Sequence, residues 1–185
     1  SVAVNPHTVS VENNFSLYAG LNVLKGTLSD ELTNETDLSD ANKASIKSAL
    51  NTIDVMIHGG QVTGDDSTLG LLSFFRHQAW SQNEFIQGGI ANDPKQKSNW
   101  IPNLEPKAVD VNTWGIAALG AKQIDQWFGF GAAFADWQQV KSWGGYGKGK
   151  TLWGVGYSDQ DGNGQTSTGD YRQGIMSTEW TAGAI

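Results

Sequence analysis

Apolar positions first recur at helical spacing between Val11 and Leu28, where Phe15, Leu17, Tyr18, Leu21, Leu24 and Leu28 suit one helix face. The pattern predicts a helix there, entered from an extended lead-in over residues 1–9 in which Pro6 disfavours helix. Ile46, Ala49, Leu50, Ile53, Val55, Met56 and Ile57 predict a second helix over Asp40–His58. Ser39 or Asp40 would cap it and Gly59-Gly60 would end it. Between Gly64 and Asp110 the periodicity breaks. Leu69 to Trp80 reads as a short strand pair or a buried loop, and Pro94, Pro102 and Pro106 punctuate the stretch from there to Asp110. Helical spacing returns over Val111–Phe128 (Trp114, Ile116, Ala117, Leu119, Ile124, Trp127) and over Ala132–Trp143. Glycines from Gly144 to Gly174 predict a long loop, and a last helix starts near Ser177. The sequence stops at Ile185, within that helix's first turns, so residues 1–185 read as a single domain that is a fragment, or one piece of a cleaved or multi-chain protein.

Composition narrows the classes. The 185 residues include 19 Asp and Glu against 12 Lys and Arg, a net charge of −7 that repels phosphate backbones and argues against nucleic acid. No apolar run approaches the roughly 20 residues that span a bilayer, so no membrane partner is expected. Cysteine is absent, which excludes disulfides, zinc fingers and cysteine nucleophiles. No histidine pair has zinc spacing and no Gly-x-Ser-x-Gly elbow occurs. His58, at a predicted helix end, fits a capping role, whereas His77 beside Arg76 is the histidine suited to a site.

A weak internal repeat brings carboxylates forward. Glu12-Asn13-Asn14 precedes Ala19 and Leu21, and Asp110-Val111-Asn112 precedes Ala117 and Leu119 at the same offsets. Glu179 opens a further apolar stretch containing Trp180. Each acid suits the positive end of a helix dipole, which capping alone would explain. The sharper reading is that several helix N-termini point into one cleft.

Two local motifs carry chemistry. Asp159-Gln160-Asp161-Gly162-Asn163-Gly164, continued by Gln165, Ser167 and Asp170, fits a twelve-residue calcium loop with Gly at the sixth position. Asp159, Asp161, Asn163, Gln165 and Asp170 would be the ligands of a structural Ca2+. The last position holds Asp where Glu is usual and the flanks lack paired helices, so the motif is EF-hand-like in the loop only. A metal-free surface turn is the alternative. Gly144 to Thr151 matches a nucleotide phosphate loop letter for letter. That motif needs a strand before it and a helix at its lysine, and neither is predicted, so the glycines read as a flexible loop at a cleft rim.

Six of the eight tryptophans fall between Trp114 and Trp180. Trp127 and Trp137 sit among apolar neighbours and read as core. Trp143, Tyr146 and Trp153 flank glycines, where a ring is expected to be exposed. Flat rings stack on sugar faces, and carboxylates, amides and arginine bond sugar hydroxyls. Glycosidic hydrolysis needs a protonated and an ionised carboxyl group. Glu179 is expected as the acid, because the adjacent Trp180 would exclude water from it, with Asp110 beside Trp114 as base or nucleophile. Glu12, Arg76, Trp114, Trp143, Tyr146, Trp153 and Trp180 complete the candidate substrate-binding set.

The runs Val109-Asp110-Val111-Asn112-Thr113-Trp114, Leu152 to Asp159, and Ser177-Thr178-Glu179-Trp180-Thr181-Ala182-Gly183 resemble bacterial (α/α)-toroid glycoside hydrolases and related polysaccharide-processing enzymes. The resemblance covers mostly residues 109–185. It implies a mainly α fold, a ring of paired helices with acids at the ends of the inner ones. A complete ring is about twice this length, so a second chain or segment is expected to complete the barrel. The resulting expectation is an extracellular or periplasmic glycosidase acting on a polysaccharide or oligosaccharide. A non-catalytic, calcium-dependent carbohydrate-binding or structural module is the alternative from another class.

Overall fold

The computed structural model describes residues 7–60, 69–91, 100–148, 151–160 and 176–184, without the Lys148 and Trp180 side chains. The chain is mostly helical, with small antiparallel sheets. It divides into two compact units, Ser16–His77 and the remainder, Ser1–Phe15 with Gln78–Ile185.

The unit Ser16–His77 contains most of α1 (Val11–Asn34), α2 (Asp40–His58) and α3 (Leu71–His77). Leu21, Ile53 and Ile57 form its buried cluster, with Tyr18, Leu28, Leu71 and Leu72 against them. The expected stripe on α1 is thus used in part, whereas Leu17 and Leu24 are exposed. Ser39 caps α2 by accepting a bond from the Asn42 N–H at 3.2 Å, and Gly59 follows its end, both as the sequence predicted. Lys25 Nζ lies 2.5 Å from Asp54 Oδ1, and that bond holds the Asp54 carboxyl below its ordinary range. Leu71–His77 is a helix where a strand pair or loop was expected. Leu71, Leu72 and Phe75 give it an apolar face for α2 and α1 to cover, and tertiary burial overrides the weak local pattern.

The larger unit begins with β1 (Thr8–Ser10) and the first turn of α1. It continues through β2 (Trp80–Ser81), β3 (Glu84–Phe85), β4 (Gly88–Ala91), β5 (Trp100–Asn103), α4 (Val109–Leu119), α5 (Ala121–Phe128), α6 (Ala132–Gly144), β6 (Gly145–Lys148), β7 (Thr151–Val155) and α7 (Thr178–Gly183). Strands β1, β4 and β5 form an antiparallel sheet with β4 in the middle, and β2–β3 and β6–β7 are hairpins. The helix expected over Val111–Phe128 is two helices, because Gly120 adopts φ 77° and ends α4. Part of the expected glycine loop is the β6–β7 hairpin, in which small residues let backbone and side chains approach closely.

Two cores hold this unit. Val109, Val140 and Val155 are fully buried, with Trp137 and Trp143 packed on them. An aromatic cluster joins Phe15 to Phe85 edge-on at 4.9 Å and stacks Trp80 on Phe128 at 4.1 Å. Gly115 lets α4 reach this cluster, since a Cβ there would lie 2.6 Å from the Phe85 ring. Asn112 ties α4 to β3: its Oδ1 accepts the Phe85 N–H at 2.6 Å and its Nδ2 donates to Ala108 O at 2.9 Å. Asn112→Ala strands the Phe85 N–H in the interior. It is expected to cost about 1–3 kcal/mol, read as a lower denaturation midpoint without a change in slope.

Candidate active site

Three helices of the larger unit begin in the same way. Ser10 pairs with Gly88, and the Val11 N–H donates to Gln87 O at 3.1 Å. Ala108 bridges Ser158, and the Val109 N–H donates to Tyr157 O at 3.0 Å. Ser177 bridges Val155, and its N–H donates to Val155 O at 2.9 Å. Each pairing fixes an extended residue just before a helix. The second helical residue is then an acid: Glu12 in α1, Asp110 in α4 and Glu179 in α7. The Glu12 and Asp110 repeat extends to hydrogen bonds. Asn14 and Asn112, each two residues past the acid, donate to Ser10 O at 2.6 Å and Ala108 O at 2.9 Å, each two residues before it.

The three acids lie close enough to feel one another's charge. Burial raises the Glu12 carboxyl above its ordinary pKa, and the charges of Asp110 and Glu179 raise it further. Asp110 is also raised, first by burial and then by Glu179, although its bonds from the Val111 N–H at 2.8 Å and its own N–H act the other way. Packing of α4 against α7 brings the last pair together: Thr181 Oγ1 accepts the Val155 N–H at 3.0 Å, anchoring α7 on β7.

The aromatic candidates divide. Trp114, one turn past Asp110, is 46% exposed and Trp153 on β7 is 62% exposed, so both rings are open to a ligand. Tyr146 departs from expectation, being buried in strand β6 of the hairpin. Trp143 is partly covered, and its indole N–H donates to Glu84 Oε2 at 3.3 Å. Arg76 is exposed in the last turn of α3, in the other unit. The Trp180 ring falls outside the described side chains.

Asp159 caps a backbone segment. Its Oδ1 accepts the Lys107 N–H at 2.9 Å and its own N–H donates to Lys107 O at 3.2 Å. Asp161, Asn163, Gln165 and Asp170, the other expected calcium ligands, lie outside the described residues. Among the described residues no cluster of three or more His, Cys, Asp or Glu side chains forms a metal site. The phosphate-loop resemblance does not survive: helix α6 leads into the glycines and strand β7 follows, the reverse of strand, loop and helix.

Sequence reasoning passed over a buried polar group. Glu84 is ion-paired with Lys107 Nζ at 2.7 Å, and Asp136 is fully buried on α6. The signal was present, because Asp136 occupies the same helical stripe as Ala133 and Val140.

The carboxylate coupling is directly measurable. Glu179→Gln removes a negative charge from the group. The carbon-13 titration midpoints of the Glu12 and Asp110 carboxyls are expected to fall toward ordinary values, with burial retaining part of each elevation. No family model, curated protein or solved structure matches this chain.

Proposed function

We propose that the chain is a glycoside hydrolase acting on a polysaccharide or oligosaccharide outside the cytoplasm, and that it forms part of an (α/α) toroid. The observation carrying this reading is the convergence of Glu12, Asp110 and Glu179, each second in its helix, with the first two held toward the protonated form. Asp110 and Glu179 form the reacting pair. The electrostatics favour the reverse of the sequence-based roles, because burial acts on Asp110 while Glu179 is exposed. Asp110 gives its proton to the glycosidic oxygen as the bond to the anomeric carbon breaks. Glu179, open to solvent, takes a proton from the water that attacks that carbon, or attacks it itself. Glu12, held toward its protonated form, offers a hydrogen bond to a sugar hydroxyl. Trp114 and Trp153 offer faces on which sugar rings stack.

The exposed rings equally suit a carbohydrate-binding module without chemistry, and turnover separates the two readings. Reducing-sugar release from a panel of neutral and charged polysaccharides is expected, falling at least ~100-fold in Asp110→Asn and in Glu179→Gln while binding persists. Binding without release in the parent protein would leave the module.

The run from Asp159 to Asp170 has the hard oxygen donors that suit calcium. Among the described residues, one Asp159 oxygen accepts the Lys107 N–H. Calcium would pin this loop beside the segment that leads into α4, and so hold Asp110 in place. Added Ca2+ is expected to raise the melting temperature of the parent and not that of Asp161→Ala; equal responses would remove the site.

A further inference from the structure

The least compensated group in the described structure lies away from the three carboxylates. Asp136 is fully buried, and among the described residues neither of its carboxyl oxygens has a hydrogen-bond partner. Buried carboxylates are otherwise paired or richly bonded, because an unpaired charge in the interior is costly.

Helix α6 packs against α4, α5, β3 and β6. From β3, the charge of buried Glu84 acts on Asp136. Lys107, in the segment before α4, is the cation at this cluster, and its ammonium lies on Glu84 Oε1 at 2.7 Å. Trp143 occupies the other Glu84 oxygen. On α5, Lys122 is exposed, and Asp125 is engaged by the Gly131 and Ala133 N–H groups at the start of α6, both at 3.0 Å. Asp110 of α4 sits with Glu12 and Glu179, and Lys141 on α6 itself is partly buried. Among the described residues, the cluster therefore sets two buried carboxyl groups against the partly buried Lys107 ammonium, which Glu84 already holds.

We propose that Asp136 is a buried proton-binding site that makes the packing of α6 against β3 and α4 depend on pH. With its proton, Asp136 is neutral and the Glu84–Lys107 pair balances. Without it, a second negative charge faces Glu84 and competes for Lys107. Lys107 belongs to the backbone segment zipped to Asp159 and stands three residues before Asp110, so the disturbance reaches the start of α4.

Burial, with Glu84 adding to it, raises the Asp136 pKa from 3.8 to about 8. The unfolded chain releases this proton near its ordinary value while the fold retains it. Stability is therefore complete below about pH 4, falls as pH rises toward about 8, and levels off above that. Asp136→Asn imitates the neutral acid and removes this dependence.

The test compares melting temperatures of the parent and Asp136→Asn from pH 4 to 9. Their difference is expected to be small near pH 4 and to grow to about 5 °C or more in favour of Asn by pH 8. A difference constant across that range overturns the proposal. Carbon-13 titration of the Asp136 carboxyl in the parent decides the matter even if the Asn variant fails to fold. A midpoint above 6 supports the site, and one at or below 6 overturns it.

Discussion

The arrangement of the larger unit rests on one backbone device, an extended residue tied to an antiparallel neighbour immediately before a helix begins. Ser10, Ala108 and Ser177 are each held this way, and the chain turns into α1, α4 and α7 at once. The device fixes the direction of the first helical turn. A helix N-terminus exposes unpaired N–H groups and a partial positive charge, so a carboxylate at the second position is locally favoured. Three such ends in one unit gather three acids whose charges oppose one another, and burial adds to that cost. A fold that tolerates mutual repulsion among carboxyl groups has the ingredients of acid–base chemistry.

The hairpin β6–β7 and the short sheets support this device more than they build a core. Strand β7 supplies Val155 to the fully buried valine cluster, bridges Ser177, and accepts α7 through Thr181. The close approach this needs explains the small residues. A Cβ at Gly154 would lie 2.7 Å from the Thr181 hydroxyl, and one at Gly144 2.6 Å from Val109. Asn112 does the corresponding work for α4, closing the buried Phe85 N–H and the Ala108 carbonyl with one side chain. The proposed catalytic helices are thus anchored by buried polar bonds, which fix geometry more sharply than apolar contact alone.

Glu84, Lys107 and Asp136 form a second set of charges with a different character. Glu84 and Asp136 are withdrawn from solvent and Lys107 is partly so, whereas Glu179 and the Trp114 and Trp153 rings face it. Lys107 belongs to both environments. Its side chain neutralises Glu84 in the interior, and its backbone is clamped by Asp159 just ahead of Asp110. Electrostatic balance in the interior and orientation at the carboxylate group are therefore linked through one residue.

Much of the helical content was legible in the sequence. The periodicity of Ile46, Ile53 and Ile57, with Ser39 before and Gly59 after, placed α2, since local spacing and capping chemistry are short-range properties. The repeat around Glu12 and Asp110 was also visible, because an acid and an asparagine two residues on serve the same local bonds in both helices. Other features depended on partners distant in the chain. Leu71–His77 became helix, and Tyr146 went inside, only because remote segments covered them. The proposed roles of acid and base likewise rest on burial of Asp110 rather than on a neighbouring tryptophan in sequence. Spacing along a chain determines which residues share a helix face and what caps its ends. Which carboxyl group loses its water, and which buried acid lacks a partner, is decided by segments brought together from across the sequence, because desolvation and Coulomb interaction depend on distance in space.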